Sequence, residues 1–162
     1  MPKLSTHDKL SKLEKITFTK EGFEKLQKDY KRLQDSRPAA VKELARAREL
    51  GDLSENGLYT AAKARLGSID SQLFRMEMTM KFAEIVESDS SGNVSVGSKV
   101  TVSDGENEIV YELVGDTEAN PKLRKITTKS PIGSALLGKK TNDKVLVSLP
   151  GGEKVFIIKQ VS

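Results

Sequence analysis

Two carboxylates, Asp52 and Glu55, stand three residues apart in the short polar segment Gly51–Asn56. At this spacing both side chains can reach one solvent-facing patch at the start of a helix, where they could provide part of a Mg²⁺ shell. Two residues cannot fill an octahedral shell, so the remaining ligands would have to come from elsewhere. The spacing is also that of a capping box, in which Asp52 caps the helix and Glu55 reaches back to its amide. Taken alone, the pair is more typical of a helix start than of a metal site.

The composition limits which metals and reactions are possible. There is no cysteine, and His7 is the only histidine. We therefore expect no zinc or thiolate site, and any metal would be held by carboxylate or amide oxygens, which favour Mg²⁺ or Ca²⁺. The 27 basic and 23 acidic residues give a net charge of +4. This charge tolerates an anionic partner but is not a polybasic signature.

The acidic pair lies between two stretches with a heptad pattern. Positions at steps of three and four on both sides of the pair are mostly apolar: seven of the nine before it, all but Arg37 and Gly51, and all seven after it. The positions are Phe23, Leu26, Tyr30, Leu33, Arg37, Ala40, Leu44, Ala47 and Gly51 before it, and Ala62, Leu66, Ile69, Leu73, Met76, Met80 and Ala83 after it. Two such seams separated by a polar turn predict an antiparallel helical hairpin. Its first arm, from about Lys20 to Leu50, would be roughly 45 Å long.

Local signals predict the bounds of the two arms. Thr19 is a suitable N-cap for the first arm. We expect a kink or irregularity near Ser36–Pro38, because proline removes a backbone hydrogen bond from a helix. The second arm is predicted from about Glu55 to Val86. The polar positions 88–94 that follow are interpreted as a linker.

Beyond the linker the pattern changes to short runs of β-branched residues separated by turns. The predicted strands are Lys99–Val102, Glu108–Val114, Lys125–Thr128, Lys144–Leu149 and Val155–Val161. A short helix is predicted at Pro131–Leu137, with proline at its start and Gly138 after its end. The fold class is therefore α+β. An antiparallel two-helix coiled-coil hairpin at 18–87 is followed by a small, mostly antiparallel β domain with one short helix at 95–162.

The first part of the chain is polar and lysine-rich, and we expect residues 1–17 to form a mobile extension. It has no apolar stretch of signal-peptide length, and no segment of the sequence approaches the length of a membrane span. These features predict a cytoplasmic protein without a membrane partner.

Four segments carry a resemblance to a known family. The longest, Ala45–Lys63, has the sequence ARARELGDLSENGLYTAAK. The others are Thr19–Leu26 (TKEGFEKL), Lys129–Lys139 (KSPIGSALLGK) and the Pro150–Glu153 turn (PGGE). In order and spacing, the chain resembles the bacterial Gre transcript-cleavage factors of the GreA type over about residues 18–162. This agreement is far more specific than a single short motif.

The resemblance implies a function in transcription. Gre factors insert the hairpin through the secondary channel of bacterial RNA polymerase. Asp52 and Glu55 match the two tip acids that help the polymerase hold a second Mg²⁺ and orient a water. The nascent RNA of a backtracked complex is then cut near its 3′ end. On this basis the chain is an accessory factor rather than an enzyme, and a monomer that shares Mg²⁺ with the polymerase without binding it stably alone.

The resemblance also assigns roles to residues near the tip. Arg48 and Lys63 match basic positions that lie close to the RNA, where a cation could neutralise phosphates. A solvated helix face, or pairing with a glutamate in the same helix, would explain these two cations equally well. Asn56 is expected to support or cap the tip turn. Tyr59 is expected to support the tip as a packing residue rather than by stacking on a base.

In the β domain, the resemblance implies an FKBP-like fold that anchors the factor on the rim of the polymerase channel. Ser130, Pro131 and Ile132 are the expected polymerase-binding residues. The fold likeness also raises the alternative of a prolyl isomerase. Tyr111 and Phe156 are present but Trp is absent, which is a poor supply for an aromatic proline pocket, and fold alone does not imply activity.

Departures from the family pattern leave other functions open. Most relatives have Ala-Glu at Gly57-Leu58, and Asn120 stands where an acid is common. Glycine inside a helix costs about 1 kcal/mol relative to alanine, so the tip could be less rigid. The nearest alternative function is an inhibitor that occupies the channel without promoting cleavage. Such relatives tend to carry additional tip acids, which this chain lacks between Gly51 and Lys63. A purely structural coiled coil is a further alternative.

Overall fold

The computed structural model describes residues 15–50, 57–87 and 92–162. The chain forms two compact units. One spans Glu24–Phe82, and the other combines the residues up to Phe23 with Ala83–Ser162. The first unit consists of two long helices and the second contains a β-sheet with a short helix. This arrangement confirms the predicted α+β class.

Helix α1 spans Lys20–Glu49 and helix α2 spans Gly57–Lys81. Three pairs of side chains connect the two helices: Arg37 with Asp70, Glu43 with Arg65, and Arg48 with Tyr59. Residues later in α1 contact residues earlier in α2, so the helices are antiparallel. The predicted helical hairpin is confirmed.

The interior of the hairpin is narrow and built from small residues. Its buried side chains all occupy predicted seam positions, namely Ala40, Ala47, Ala62 and Ile69. Arg37, the charged residue on the seam, forms an ion pair with Asp70 of the facing helix instead of packing. The irregularity predicted at Ser36–Pro38 does not divide α1, because the helix continues through Pro38 to Glu49. Pro38 is exposed, and Ser36, two residues before it, donates a hydrogen bond to the Leu33 carbonyl at 2.6 Å.

The β unit has two sheets. A two-stranded sheet pairs β1 with β2, and a five-stranded sheet has the order β5-β4-β3-β7-β6. The strands are β1 (Ile16–Phe18), β2 (Ala83–Ile85), β3 (Lys99–Ser103), β4 (Glu108–Val114), β5 (Lys125–Thr127), β6 (Lys144–Leu149) and β7 (Gly152–Val161). The larger sheet is antiparallel except for the β4–β5 pair, so the mostly antiparallel prediction holds.

One face of the five-stranded sheet packs against helix α3, which spans Pro131–Leu136. The core consists of buried apolar residues from β3, β4, β6 and β7, one residue of the helix, and Val94, which precedes β3: Val94, Val100, Val102, Leu113, Leu136, Val145, Val147, Phe156 and Ile158. Alternation places successive strand residues on opposite faces, so β3, β6 and β7 each contribute two side chains that are two positions apart. The core therefore holds α3, and the residues at its start, in a fixed place on the sheet.

Several predicted bounds are wrong at the ends of the hairpin. Helix α2 ends at Lys81, before Val86, because Ala83–Ile85 forms a parallel pair with Ile16–Phe18. Ile16 and Thr17, part of the predicted extension, are therefore strand residues, and the hairpin unit is shorter than 18–87. Strands of three residues are too short for periodicity to reveal them. Lys15, also in the predicted extension, forms an ion pair with Glu84 of β2 at 2.9 Å, and residues 1–14 lie outside the described residues.

The predicted linker is also shorter than positions 88–94. Val94 is 1% exposed and belongs to the core, and Asn93 pairs with Lys140 in an isolated bridge. Their polar, glycine-containing context resembles a linker, but two hydrogen bonds tie Val94 to the segment after α3. Residues 88–91 lie outside the described residues. Smaller shifts occur elsewhere: β7 begins at Gly152 rather than Val155, and β5 ends at Thr127.

Candidate functional site

The predicted tip residues Asp52, Glu55 and Asn56 lie outside the described residues. The described residues on either side of them end α1 and begin α2. Leu50 is 69% exposed and Leu58 is 65% exposed. Gly57 is the first residue of α2, and a methyl group added to it would meet no atom of the described residues within 4 Å. Packing therefore does not require glycine there. The sequence predicted Gly57 inside the helix, whereas it lies at the helix end.

The two predicted RNA-proximal cations lie on different helices. Arg48 is exposed near the end of α1, and its guanidinium carbon is 5.9 Å from the centre of the Tyr59 ring in α2. This distance is within the range of a cation–π contact, worth about 0.5–1 kcal/mol at an exposed site. Tyr59 is half-buried, which agrees with a packing role. Lys63 is exposed one turn further along α2. The structure thus keeps both charges at the surface.

Ion pairs between the helices fix the register of the hairpin. Arg37 donates two hydrogen bonds to Asp70, at 2.6 and 3.2 Å. These bonds hold the pKa of Asp70 below its ordinary value and raise that of Arg37. Arg65 donates a bond of 2.7 Å to Glu43 in the same way. Both pairs are exposed, so salt will screen them, but paired charges still disfavour a slipped register.

The predicted polymerase-binding residues begin helix α3. Ser130 is its N-cap, since the Gly133 N–H donates to Ser130 Oγ at 3.0 Å. The same Oγ donates to the Thr127 carbonyl at 2.7 Å. Pro131 is exposed, whereas Ile132 is half-buried and packs on the core. Ser130 therefore has a structural role that the sequence assignment missed, and Pro131 presents the most accessible surface of the three.

A second acidic segment was not singled out from the sequence. Asp116 and Glu118 follow β4, and both accept hydrogen bonds from the backbone of the segment that leads into the first helix. Thr17 N–H donates to Asp116 Oδ2 at 3.1 Å, and Thr19 N–H donates to Glu118 Oε2 at 2.8 Å. Asn120, the departure noted nearby, is exposed and pairs through its backbone with Lys125. In the sequence, the only local sign of this segment is an acid beside Gly115 in a loop. That sign does not indicate which residues the two acids would bind.

The described part of the chain offers little for an independent active site. Residues 15–50, 57–87 and 92–162 contain no group of three or more acids, histidines or cysteines that could hold a metal ion. A groove on the hairpin is lined by Asp29, Arg32, Leu33, Ser36, Gln72 and Met76. Its carboxylate, Asp29, is already bonded to Arg32 at 2.6 Å. Within the same described ranges, no helix has the uninterrupted apolar length of a bilayer crossing.

The aromatic residues of the β unit do not favour a proline-binding pocket. Phe156 is 3% exposed in the core, and Tyr111 packs against the same cluster. Both rings are therefore occupied by folding contacts. Among the remaining aromatic contacts, Phe18 meets Phe23 edge-on, with ring centres 5.9 Å apart. That pair lies beside the short β1–β2 sheet.

Comparison with known proteins identifies the family of the whole chain. The family described as "Transcription elongation factor, N-terminal" matches residues 16–85, and "Transcription elongation factor, GreA/GreB, C-term" matches residues 89–162. The transcription elongation factor GreA of Phenylobacterium zucineum is 40% identical over 154 residues, covering 92% of this chain and 98% of that protein. The GreA of Trichlorobacter lovleyi is 41% identical over 153 residues, covering 90% and 96%.

A solved structure is similar as well. The GreA factor homolog 1 of Thermus thermophilus is 27% identical, with a TM-score of 0.44, and the match covers 92% of this chain and 99% of that one. The family assignment depends on the two family matches, which together cover residues 16–85 and 89–162, and on relatives that match over nearly their full length. The chain belongs to the GreA/GreB family of transcription elongation factors.

Proposed function

We propose that this elongation factor binds bacterial RNA polymerase and stimulates the polymerase to cleave backtracked nascent RNA. In this proposal the hairpin enters the secondary channel, and Asp52 and Glu55 act together with the polymerase at its active site. One observation carries the proposal: two antiparallel helices are joined by a segment whose sequence contains these two acids, in a chain of the elongation-factor family. The chain is then an accessory factor of the bacterial cytoplasm.

The donor set of the tip fits Mg²⁺. Asp52 and Glu55 supply carboxylate oxygens, the ligands that a hard cation prefers, but two acids leave most of an octahedral shell unfilled. The described residues add no further acidic cluster. The remaining ligands must therefore come from the polymerase and the RNA. Bound Mg²⁺ would activate a water and neutralise charge on the phosphate, while the two acids orient that water and complete the site.

The two cations near the tip would act on the RNA. Arg48 and Lys63 are exposed on facing helices of the hairpin. A cation close to the RNA backbone neutralises phosphate charge and favours the binding of the 3′ end. The contact with Tyr59 restrains the Arg48 side chain, so less rotamer freedom is lost when Arg48 binds a phosphate. These two residues should therefore affect RNA binding more than metal binding.

The start of helix α3 would anchor the factor on the channel rim. Pro131 is exposed, and the N-cap at Ser130 together with the buried Leu136 fixes the helix on the sheet. A rigid, exposed turn of this kind is suited to recognition because little conformational freedom is lost on binding. A partner that binds this turn would hold the factor in place while the tip acts at the polymerase active site.

A backtracked elongation complex with 5′-labelled RNA tests the proposal. Addition of the factor with Mg²⁺ should shorten the RNA from its 3′ end and allow elongation to resume. The matched controls are Asp52→Asn and Glu55→Gln, which keep the capping geometry but remove the charges. Slowed elongation without shortening of the RNA would instead identify a channel-binding inhibitor. Equal cleavage by the wild type and both variants would reject a role for the acids.

A further inference from the structure

The loop Gly115–Glu118 forms hydrogen bonds with the chain segment that leads into helix α1. Asp116 exchanges two backbone-directed hydrogen bonds with Thr17: Thr17 N–H donates to Asp116 Oδ2 at 3.1 Å, and Asp116 N–H donates to the Thr17 carbonyl at 2.9 Å. Lys129 lies 3.4 Å from the same Asp116 oxygen. The Asp116 side chain is only 15% exposed. These contacts fix the strand that precedes the helix.

Glu118 forms hydrogen bonds with the N-cap residue of the helix. Its Oε2 accepts hydrogen bonds from Thr19 N–H at 2.8 Å and from Gly115 N–H at 3.0 Å, and its Oε1 accepts one from the Thr19 hydroxyl. Thr19 in turn caps the helix, since Gly22 N–H donates to Thr19 Oγ1 at 3.0 Å. A carboxylate at a helix N-terminus also interacts favourably with the helix dipole. The cap of α1 is thus completed by a side chain 99 positions away in sequence.

Two glycines make room for this carboxylate. A methyl group added to Gly22 would overlap the Glu118 carboxylate, and one added to Gly115 would overlap the same carboxylate and the backbone at Thr17 and Phe18. Neither glycine has a positive φ, so backbone conformation does not require them. Space for Glu118 is what explains glycine at position 22, inside the first turn of a helix where glycine is disfavoured.

We propose that Glu118 is a positioning residue that ties the first turn of α1 to the β domain, so that anchoring of that domain leads to productive delivery of the tip. This inference rests on the proposed function. The β domain supplies binding to the polymerase, and the tip supplies chemistry. Glu118 would influence cleavage without touching polymerase, RNA or metal. Without it, a bound factor spends part of its time with the helix start released, and only the competent fraction supports cleavage.

The hydrogen bonds of Glu118 with Thr19 and Gly115 are here called the clamp. Amide hydrogen exchange of the full chain tests the clamp independently of polymerase. In Glu118→Ala, the Thr19 and Gly115 amides should exchange on the order of tenfold faster, because both lose a hydrogen bond to a charged acceptor. Gly22→Ala should give a similar change at Thr19, although alanine is the better helix former, because the methyl group displaces Glu118. Glu106→Ala removes an exposed acid from the β3–β4 turn and serves as the matched control, with unchanged exchange. Unchanged protection at Thr19 in both Glu118→Ala and Gly22→Ala would overturn the clamp.

The functional arm separates binding from cleavage. Titration of each variant onto a backtracked complex gives an apparent affinity and a maximal cleavage rate. For Glu118→Ala and Gly22→Ala we expect affinity within about threefold of wild type and a maximal rate lowered by about fivefold or more, which reflects a smaller competent fraction. A loss confined to affinity, or full cleavage despite faster amide exchange, would refute the positioning role. If the wild type itself produced no cleavage, the proposed function would fail, while the exchange measurement would still decide whether the clamp exists.

Discussion

Ser130 is a residue whose structural and binding roles can be separated by substitution. Its Oγ accepts a hydrogen bond from Gly133 N–H and donates one to the Thr127 carbonyl. Ser130→Ala removes an N-cap, which costs about 1 kcal/mol, and a second hydrogen bond, which costs a further ~1 kcal/mol. Because one atom makes both bonds, the two losses overlap. We therefore expect the free energy of unfolding of the β unit to fall by about 1–2 kcal/mol.

The matched control is Ser134→Ala in the same helix. Ser134 is exposed, and its hydroxyl donates a hydrogen bond of 3.2 Å to the Pro131 carbonyl. Surface changes of this kind alter stability by about 0.5 kcal/mol or less. Thr at position 130 keeps a hydroxyl cap, so Ser130→Thr should restore most of the lost stability. Urea unfolding, followed through the amides of the β unit by NMR, measures all three variants.

Polymerase binding by the same variants then shows how Ser130 acts. If it acts by fixing the start of α3, Ser130→Ala should weaken binding and Ser130→Thr should recover it, in parallel with stability. Weaker binding with an unchanged free energy of unfolding would refute this reasoning and assign Ser130 to direct contact. A stability loss below about 0.3 kcal/mol in Ser130→Ala would show that the cap contributes less than the geometry suggests.

Three further predictions concern the hairpin. Asp52→Asn and Glu55→Gln should each lower transcript cleavage at least tenfold, about 1.4 kcal/mol of barrier. High Mg²⁺ should partly rescue both variants. Full cleavage by both variants at limiting Mg²⁺ would leave helix capping as the only role of the two acids. The protein mixed with free RNA and Mg²⁺ should leave the RNA intact in a gel assay, since two acids cannot complete the metal shell; metal-dependent cutting would contradict the accessory role. Arg37 lowers the pKa of Asp70 below its ordinary 3.8, so the pair stabilises the hairpin fully at neutral pH and loses this effect as the pH falls through the lowered pKa. The difference in melting temperature between wild type and Asp70→Asn should therefore shrink from pH 7 to pH 3 and in high salt, and a difference independent of both would exclude the ion pair as its source.

Much of the fold could be predicted because its signals are local. The hairpin seams predicted the buried positions Ala40, Ala47, Ala62 and Ile69, since heptad spacing places them on one helix face. Proline after serine and glycine after leucine predicted the short helix α3 to within one residue at its end. The strands of the larger sheet followed from alternating β-branched runs. The acids of the tip were found the same way, from type and spacing, and their chemistry stays a prediction.

What the sequence did not reveal depends on residues far apart along the chain. Strands β1 and β2 have three residues each, too few for a period to appear, and each is a strand only because the fold pairs Ile16–Phe18 with Ala83–Ile85. Glu118 looks like any loop acid until the fold brings Thr19 and Gly22 to it. Local periodicity and caps are encoded within one or two helical turns, so the sequence by itself determined the hairpin, the β domain and the acidic segment between the helices. Pairings between distant short segments gain free energy only once the chain has collapsed, so the tertiary structure alone decided that Glu118 completes the Thr19 cap of the first helix and holds its start.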